Sequence, residues 1–258
     1  MNSFRENIKS SSTVYISTFA ALILLNIIIF LFPVELSAYR KTDITAPFWS
    51  FVTGTGSFWG GLTILVLMTT FLIHKFIKHH LNFDHLILFL TLVFFTYIFS
   101  IGVTEYSLKD LYKKPRPSQN YFFEKGYLGI NESVFFSMPL DQRKKYFEEK
   151  INPSDSQLTD IYSPILKQWI YESGFSFPSG HALTSFFFGT ILSFLIFRTE
   201  VFKNKYLCFL PLVWSVIVSI SRIVTGLHYP SDVTAGSIIG AAAGLVLISL
   251  PNSNELFK

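Results

Sequence analysis

Residues 206–250 read YLCFLPLVWSVIVSISRIVTGLHYPSDVTAGSIIGAAAGLVLISL. Two apolar runs, 206–225 and 233–250, flank a short polar bend that carries His228 and Asp232. About 20 residues of helix cross a hydrocarbon core roughly 30 Å thick, so each run is long enough to span a bilayer. Outward from this pair, four more runs pass the same test, at approximately 14–33, 58–77, 85–106 and 181–198. The pattern predicts an all-α, polytopic membrane protein with six transmembrane helices. A long polar stretch separates the third span from the fourth. It predicts a small helical cap, residues 118–177, inserted into a single membrane domain that takes in residues 1–258.

Composition excludes the main alternatives. Half of the 258 residues are hydrophobic, 29 are Phe and only 15% are charged, where a soluble domain carries about a quarter. The same figures exclude a disordered chain. A net charge of +4 does not point to nucleic acid, because the basic residues flank apolar runs instead of forming a stripe. Anionic membrane lipids are the expected partner. The one cysteine, Cys208, sits inside an apolar run and has no intrachain partner for a disulfide. Val14 to Phe32 is longer than a signal-peptide core and lacks a small-residue cleavage site, so it reads as a first anchor that is retained.

Lys and Arg in short loops set orientation. Arg5, Lys9, Lys75, Lys78, Arg198, Lys203, Lys205 and Lys258 fall on one side of the six-span arrangement, against Arg40 and Lys41 in the first short loop of the other. Both termini are therefore expected in the cytoplasm, with residues 109–180 on the periplasmic or outer face. Residues 34–57 read as a linker ending in Thr53-Gly54-Thr55-Gly56-Ser57. Within the long segment, Asp141 to Lys150 is strongly charged and Ser154 to Gln157 resembles a capping box. Pro164 suits the first turn of a helix running to Glu172. The aromatic pairs Phe122-Phe123 and Phe135-Phe136 suit packing within the cap as well as an interfacial role. Gly236, Gly240 and Gly244 make a small-residue stripe, expected to serve close packing inside the bundle ahead of a dimer face.

Three polar clusters interrupt the apolar pattern, and all fall on the outer side. They are Lys109 to Pro117 with Lys109 and Arg116, Phe177 to His181 with Ser179, Gly180 and His181, and Ser221 to Asp232 with Arg222, His228 and Asp232. Singly, each has a structural explanation. Lys113 and Lys114 beside a span end read as headgroup anchors, so replacing Lys114 is expected to matter less than replacing Lys109 or Arg116. Arg222 inside an apolar run needs a partner, because an unpaired arginine there costs several kcal/mol. Together the clusters suit a phosphate. Guanidinium forks match phosphate oxygens, and a helix opening at Ser179-Gly180-His181 offers free N–H groups and a favourable dipole. His228 with Asp232 four residues on suits a nucleophile or base held in one tautomer. His181 offers a second imidazole for proton transfer.

Lys-x6-Arg-Pro at 109–117, Pro-Ser-Gly-His at 178–181 and Ser-Arg-x5-His-x3-Asp at 221–232 resemble the three-part signature of the type 2 phosphatidic acid phosphatase (PAP2) superfamily. The stretch Trp169 to His181 narrows the resemblance to its bacterial phosphatidylglycerophosphatase B branch. The resemblance implies a membrane hydrolase acting on a lipid phosphate at the outer face of a bacterial cytoplasmic membrane. Its substrates would be phosphatidylglycerol phosphate, undecaprenyl diphosphate or phosphatidic acid. It further implies His228 as a nucleophile that becomes phosphohistidine, Asp232 as its orienting carboxylate, and His181 as acid and then base. Lys109, Arg116, Arg222, Ser179 and Gly180 would hold the phosphoryl oxygens.

The same motifs fit a lipid A phosphatase, or a phosphotransferase that moves phosphate from a polyprenyl diphosphate to lipid A. A non-catalytic lipid-binding or transport protein would need the cations but no nucleophile. No carboxylate cluster has the spacing of a Mg²⁺ or Zn²⁺ site, and His74, His79, His80 and His85 lie at the cytoplasmic turn. No metal and no cofactor are expected. The sequence leaves oligomeric state open.

Overall fold

In lipid a chain must satisfy its backbone hydrogen bonds internally, and an uninterrupted apolar run does so as a helix. The computed structural model describes residues 11–31, 39–79, 83–151, 158, 160–199, 204–250 and 253. Among these there is no strand, only an isolated bridge between Arg40 and Ile161. Six helices are long and apolar enough to cross a membrane. The spans are α1 (Ser12–Leu31), α3 (Phe58–His79), the helix that begins with α4 (Phe83–Val103), α10 (Gly180–Thr199), α11 (Leu210–Val224) and α12 (Pro230–Ser249). A single turn of 3₁₀ helix, Lys205–Phe209, leads into α11.

Two boundaries differ from the sequence expectation. The third span does not stop near 106: α4 continues through a π turn, Thr104–Leu108, into α5, Lys109–Tyr112. Lys109 therefore sits within the last turns of the helix and not beyond it. The expected linker at 34–57 contains a ten-residue helix, α2 (Ala46–Thr55), with Pro47 in its first turn and Gly56 closing it. Pro pre-sets the first-turn dihedral and has no N–H to leave unsatisfied. The Gly/Thr-rich composition hid this helix.

Helix α10 is the axis of the bundle and packs on α11 and α12, with α1, α3 and α4 around it. The close approach of α12 is made by glycine. A methyl on Gly236 would lie 2.2 Å from the Ser179 carbonyl oxygen, and one on Gly240 would lie 2.1 Å from that of Leu183. Gly244 faces Phe187 and Thr190 of the same helix. The small-residue stripe thus serves packing within the bundle.

Between α5 and α10 the chain forms α6 (Pro117–Glu124), α7 (Glu132–Ser137), α8 (Leu140–Lys150) and α9 (Ser163–Tyr171). Their core is aromatic: Phe122, Phe135, Phe147 and Trp169 are fully buried together. Ring pairs such as Phe135 with Phe147, 4.9 Å apart and nearly perpendicular, are the favoured edge-to-face arrangement. The Trp169 indole N–H donates to the Thr225 carbonyl at 2.7 Å, which ties this core to the end of α11. Phe122 and Phe135 are core residues, so packing accounts for them. The suggested capping box at Ser154–Gln157 lies outside the described residues, as do Arg5, Lys9, His80, Lys203 and Lys258.

Candidate active site

The site forms where three chain reversals meet: the π turn and α5, the start of α10, and the bend between α11 and α12. Gly226 makes the bend possible, because its φ of 74° lies in the left-handed region. The N–H groups of Leu227 and His228 then both donate to the Arg222 carbonyl at 3.0 Å. That wrap buries the Arg222 side chain completely and leaves His228 only 1% exposed.

Arg222 finds the partner that its position demands, and it is Glu172. Its Nη2 donates to both carboxylate oxygens, at 2.7 and 2.5 Å, while Nη1 donates to Thr53 Oγ1 of α2 at 2.7 Å. Arg116 reaches the same carboxylate, with Nη1 at 3.0 Å from Glu172 Oε2. Its Nε donates to the Gly174 carbonyl and its Nη1 to that of Leu227. Arg116 Nη1 also lies 2.9 Å from His228 Nε2. A guanidinium only donates, so that contact assigns the lone pair to Nε2 and the proton to Nδ1.

His228 Nδ1 points towards Asp232. The separation from Asp232 Oδ2 is 3.7 Å, longer than a hydrogen bond, and Nδ1 has no other partner. Asp232 is itself buried, with Oδ2 accepting from the Tyr229 N–H at 2.9 Å as an N-terminal cap of α12. Burial pushes the His228 imidazole below its usual range, and the Arg116 and Arg222 charges push it further down. Burial alone would push the Glu172 carboxyl up. The Arg222 and Arg116 guanidiniums outweigh it and hold Glu172 well below the usual carboxylate range.

Lys109 is also paired, with Glu105 one helical turn earlier at 2.7 Å. Gly180 stands against this pair, since a methyl there would lie 3.1 Å from Glu105 Oε1. Ser179 caps α10, its Oγ accepting from the Ala182 N–H at 3.4 Å, and its own N–H donates to the Asp232 carbonyl. The N–H groups of Gly180 and His181 open the helix without a backbone acceptor. The His181 ring lies within electrostatic reach of Arg222, Glu172, Arg116 and Lys109. All eight residues singled out from the sequence thus fall in one cluster.

Three features of that cluster depart from the sequence reading. First, the three cations are not free: Glu105 and Glu172 offset two of them. One cation at 4 Å is worth about 4 kcal/mol at an effective dielectric near 20, so an incoming phosphate gains the cations' full attraction only by displacing carboxylates. Second, Thr53 enters from a segment read as linker. Third, Lys114, read as a headgroup anchor, is paired with α12. Its Nζ lies 2.7 Å from Asp232 Oδ1 and 2.8 Å from Ser231 Oγ. Lys113 does remain exposed, in a left-handed conformation with φ 44°. The Glu105–Lys109 spacing of four was a readable signal. Glu172 and Lys114 meet partners 50 or more residues away, and no local pattern carries that. Among the described residues no group of three His, Cys, Asp or Glu side chains is placed to hold a metal ion.

The sequence pattern of the PAP2 superfamily matches residues 84–255. The chain is 39% identical over 71 residues to lipid A 4′-phosphatase of Bacteroides thetaiotaomicron, covering 28% of this chain and 29% of that one. It is 30% identical over 212 residues to the Arabidopsis thaliana protein named "Probable lipid phosphate phosphatase 4", covering 77% of this chain and 58% of that one. It is 25% identical over 135 residues to phosphatidylglycerophosphatase B of Escherichia coli, covering 52% and 50%. The chain thus spans between about three and six tenths of the length of these relatives.

Proposed function

Because this chain belongs to the PAP2 superfamily, we propose that it is a lipid phosphate phosphatase working through a phosphohistidine intermediate, without a metal or cofactor. The observation that carries the reading is the placement of His228, with Nε2 2.9 Å from the Arg116 guanidinium and Nδ1 directed at the buried Asp232 carboxylate. Mere lipid binding needs cations but no such nucleophile.

The phosphate enters the arginine pair and exchanges with Glu172, so that Arg116 and Arg222 each donate to its oxygens. Lys109 and the N–H groups of Gly180 and His181 take the remaining oxygens, with Ser179 fixing the start of α10. His228 Nε2 then attacks phosphorus in line. The P–N bond forms as the bond to the lipid oxygen breaks, and His181 relays to that oxygen a proton that the phosphate monoester brings into the site. Asp232 stabilises the charge on the His228 ring through Nδ1–H. His181, now neutral, takes a proton from water, and the hydroxide attacks phosphorus to release inorganic phosphate and regenerate Nε2. Phosphoryl transfer depends chiefly on such positioning and charge stabilisation.

By its likeness to the bacterial relatives, the enzyme works in the cytoplasmic membrane with its site on the outer face. Its substrates are phosphatidylglycerol phosphate, undecaprenyl diphosphate or phosphatidic acid. Residues 118–177 act as the inserted cap of a single domain and select the headgroup. An open surface pocket supports this, with Lys113 and Pro115 on the motif side and Asn131, Glu132 and Phe136 on the insert side. A chimera that exchanges 118–177 and keeps its substrate order refutes that role.

Phosphate release from phosphatidylglycerol phosphate, in detergent with EDTA and no acceptor, tests the activity. We expect release by the wild type and none by His228→Ala. Wild-type turnover in His228→Ala refutes the mechanism. The stretch shared with lipid A 4′-phosphatase makes lipid A the second substrate to assay, and release that needs an added acceptor marks a phosphotransferase.

A further inference from the structure

Lys114 is the cation at this site that the mechanism above leaves unused, and its placement is specific. The left-handed Lys113 turns the chain out of α5, and Pro115 keeps the residue before it out of the helical region. The Lys114 carbonyl is then fixed by the Ser176 N–H at 2.8 Å. From that anchored backbone the side chain crosses to the first turn of α12. Its ammonium donates to Ser231 Oγ and Asp232 Oδ1, and lies 4.3 Å above the Tyr229 ring. Tyr229 is held in turn by Asn120 at 2.9 Å. The ammonium is thus fixed by a carboxylate, a hydroxyl and an aromatic face.

The consequence falls on the carboxylate. Asp232 is fully buried, and a buried ion needs a counter-charge as well as hydrogen bonds. Lys114 is the cation that contacts it. The division of labour between its two oxygens matters more. Oδ1 is taken by Lys114 and Ser231, while Oδ2 accepts only from the Tyr229 N–H and is the oxygen nearest His228 Nδ1. With Oδ1 clamped, the carboxylate cannot rotate to offer the wrong oxygen, and Oδ2 has a lone pair left for the imidazole.

We propose that Lys114 is a positioning residue for the transfer: it clamps Asp232 so that Oδ2 stays aimed at Nδ1 of His228. The 3.7 Å gap then closes when His228 gains positive charge on attack. Lys114 touches neither the phosphate nor the leaving group. This inference rests on His228 being the nucleophile, as proposed above.

A double-mutant cycle tests it. Phosphate release from phosphatidylglycerol phosphate is measured for wild type, Lys114→Met, Lys114→Arg, Asp232→Asn, Lys114→Met/Asp232→Asn and His228→Ala in the same detergent. Lys114→Met is expected to lower kcat roughly 10- to 100-fold, the scale set by a misplaced reacting group, with KM unchanged. Lys114→Arg recovers most of that loss, because it restores the cation. In the Asp232→Asn background, Lys114→Met is expected to have no further effect, since the group through which it acts is gone.

A raised KM with kcat intact makes Lys114 a headgroup contact and overturns the proposal. So does an undiminished loss in the Asp232→Asn background, or no loss at all. If Lys114→Met does not fold, Lys114→Gln takes its place in every arm. Full turnover by His228→Ala overturns the parent reading and this one together. An inactive His228→Ala with any of the other adverse results overturns this one alone.

Discussion

The first three spans and the last three are both made of apolar runs of similar length, yet they occupy different places. In α10, α11 and α12 the spans are 72%, 56% and 50% buried, against 28%, 17% and 22% in the first three. The difference runs against simple hydropathy: α10 and α12 are less apolar than α1 and the α4 span. Lipid tails are as apolar as any side chain, so hydrophobicity does not decide which helices lie inside. Small and hydroxyl residues do, because they allow close backbones and hydrogen bonds across helices. Gly236, Gly240, Ser185, Ser215 and Ser219 supply them in the inner trio, and Ser215 Oγ donates to the Ser185 carbonyl at 2.7 Å. The outer trio presents Phe19, Phe30, Phe95 and Phe99 to the surroundings. The inner trio also carries four of the eight residues of the candidate site, with Ser179 directly before α10 and His228 in the bend between α11 and α12.

If the inner trio is what holds the site together, its buried charge is where the contrast breaks most visibly. Arg222→Met removes the cation that Glu172 and Thr53 share. Turnover is expected to fall about 10²- to 10³-fold, the usual loss for one preorganised donor to a developing charge. The substitution also leaves Glu172 with Arg116 alone, so the melting temperature in detergent is expected to drop. Steady-state release of phosphate and a thermal scan on the same sample check both. Retained activity would mean that Arg222 only satisfies Glu172 and never meets the phosphate.

The sequence made the spans legible because each is a run of about twenty apolar residues. It made the site legible because three motifs sit at the ends of those runs. Helix α2 was hidden because ten residues holding Gly54 and two Thr have neither the length nor the periodicity of a span. The extension of α4 to Tyr112 was hidden because hydropathy fades at Glu105 while backbone pairing does not. Glu172 and Lys114 belong to the tertiary structure: their partners are 50 and 118 residues distant. Their chemical types were visible throughout, and only their company was not. A glutamate that occupies two arginines reads, in sequence, like any helix-end carboxylate.

Two glycines carry the contrast between the trios down to a single methyl group. At Gly240 of α12 a Cβ would meet the Leu183 oxygen at 2.1 Å and its α-carbon at 2.9 Å, all backbone atoms that no side-chain rotation can clear. Gly240→Ala must therefore push α12 off α10, and overpacking of this kind typically costs about 1–3 kcal/mol. The displacement propagates to Ser179 and Asp232, which share a hydrogen bond about two turns before Gly240 along α12, so turnover should fall along with stability. At Gly102 of α4 nothing lies within 4 Å of the same methyl. Gly102→Ala meets no clash and reduces the backbone freedom of a helix interior, which favours it by roughly 0.5–1 kcal/mol. Thermal unfolding of the two variants in one detergent should thus move in opposite directions, the Gly240 variant down and the Gly102 variant slightly up. Equal shifts would show that the outer and inner helices are packed alike, and the asymmetry of burial would lose its energetic meaning.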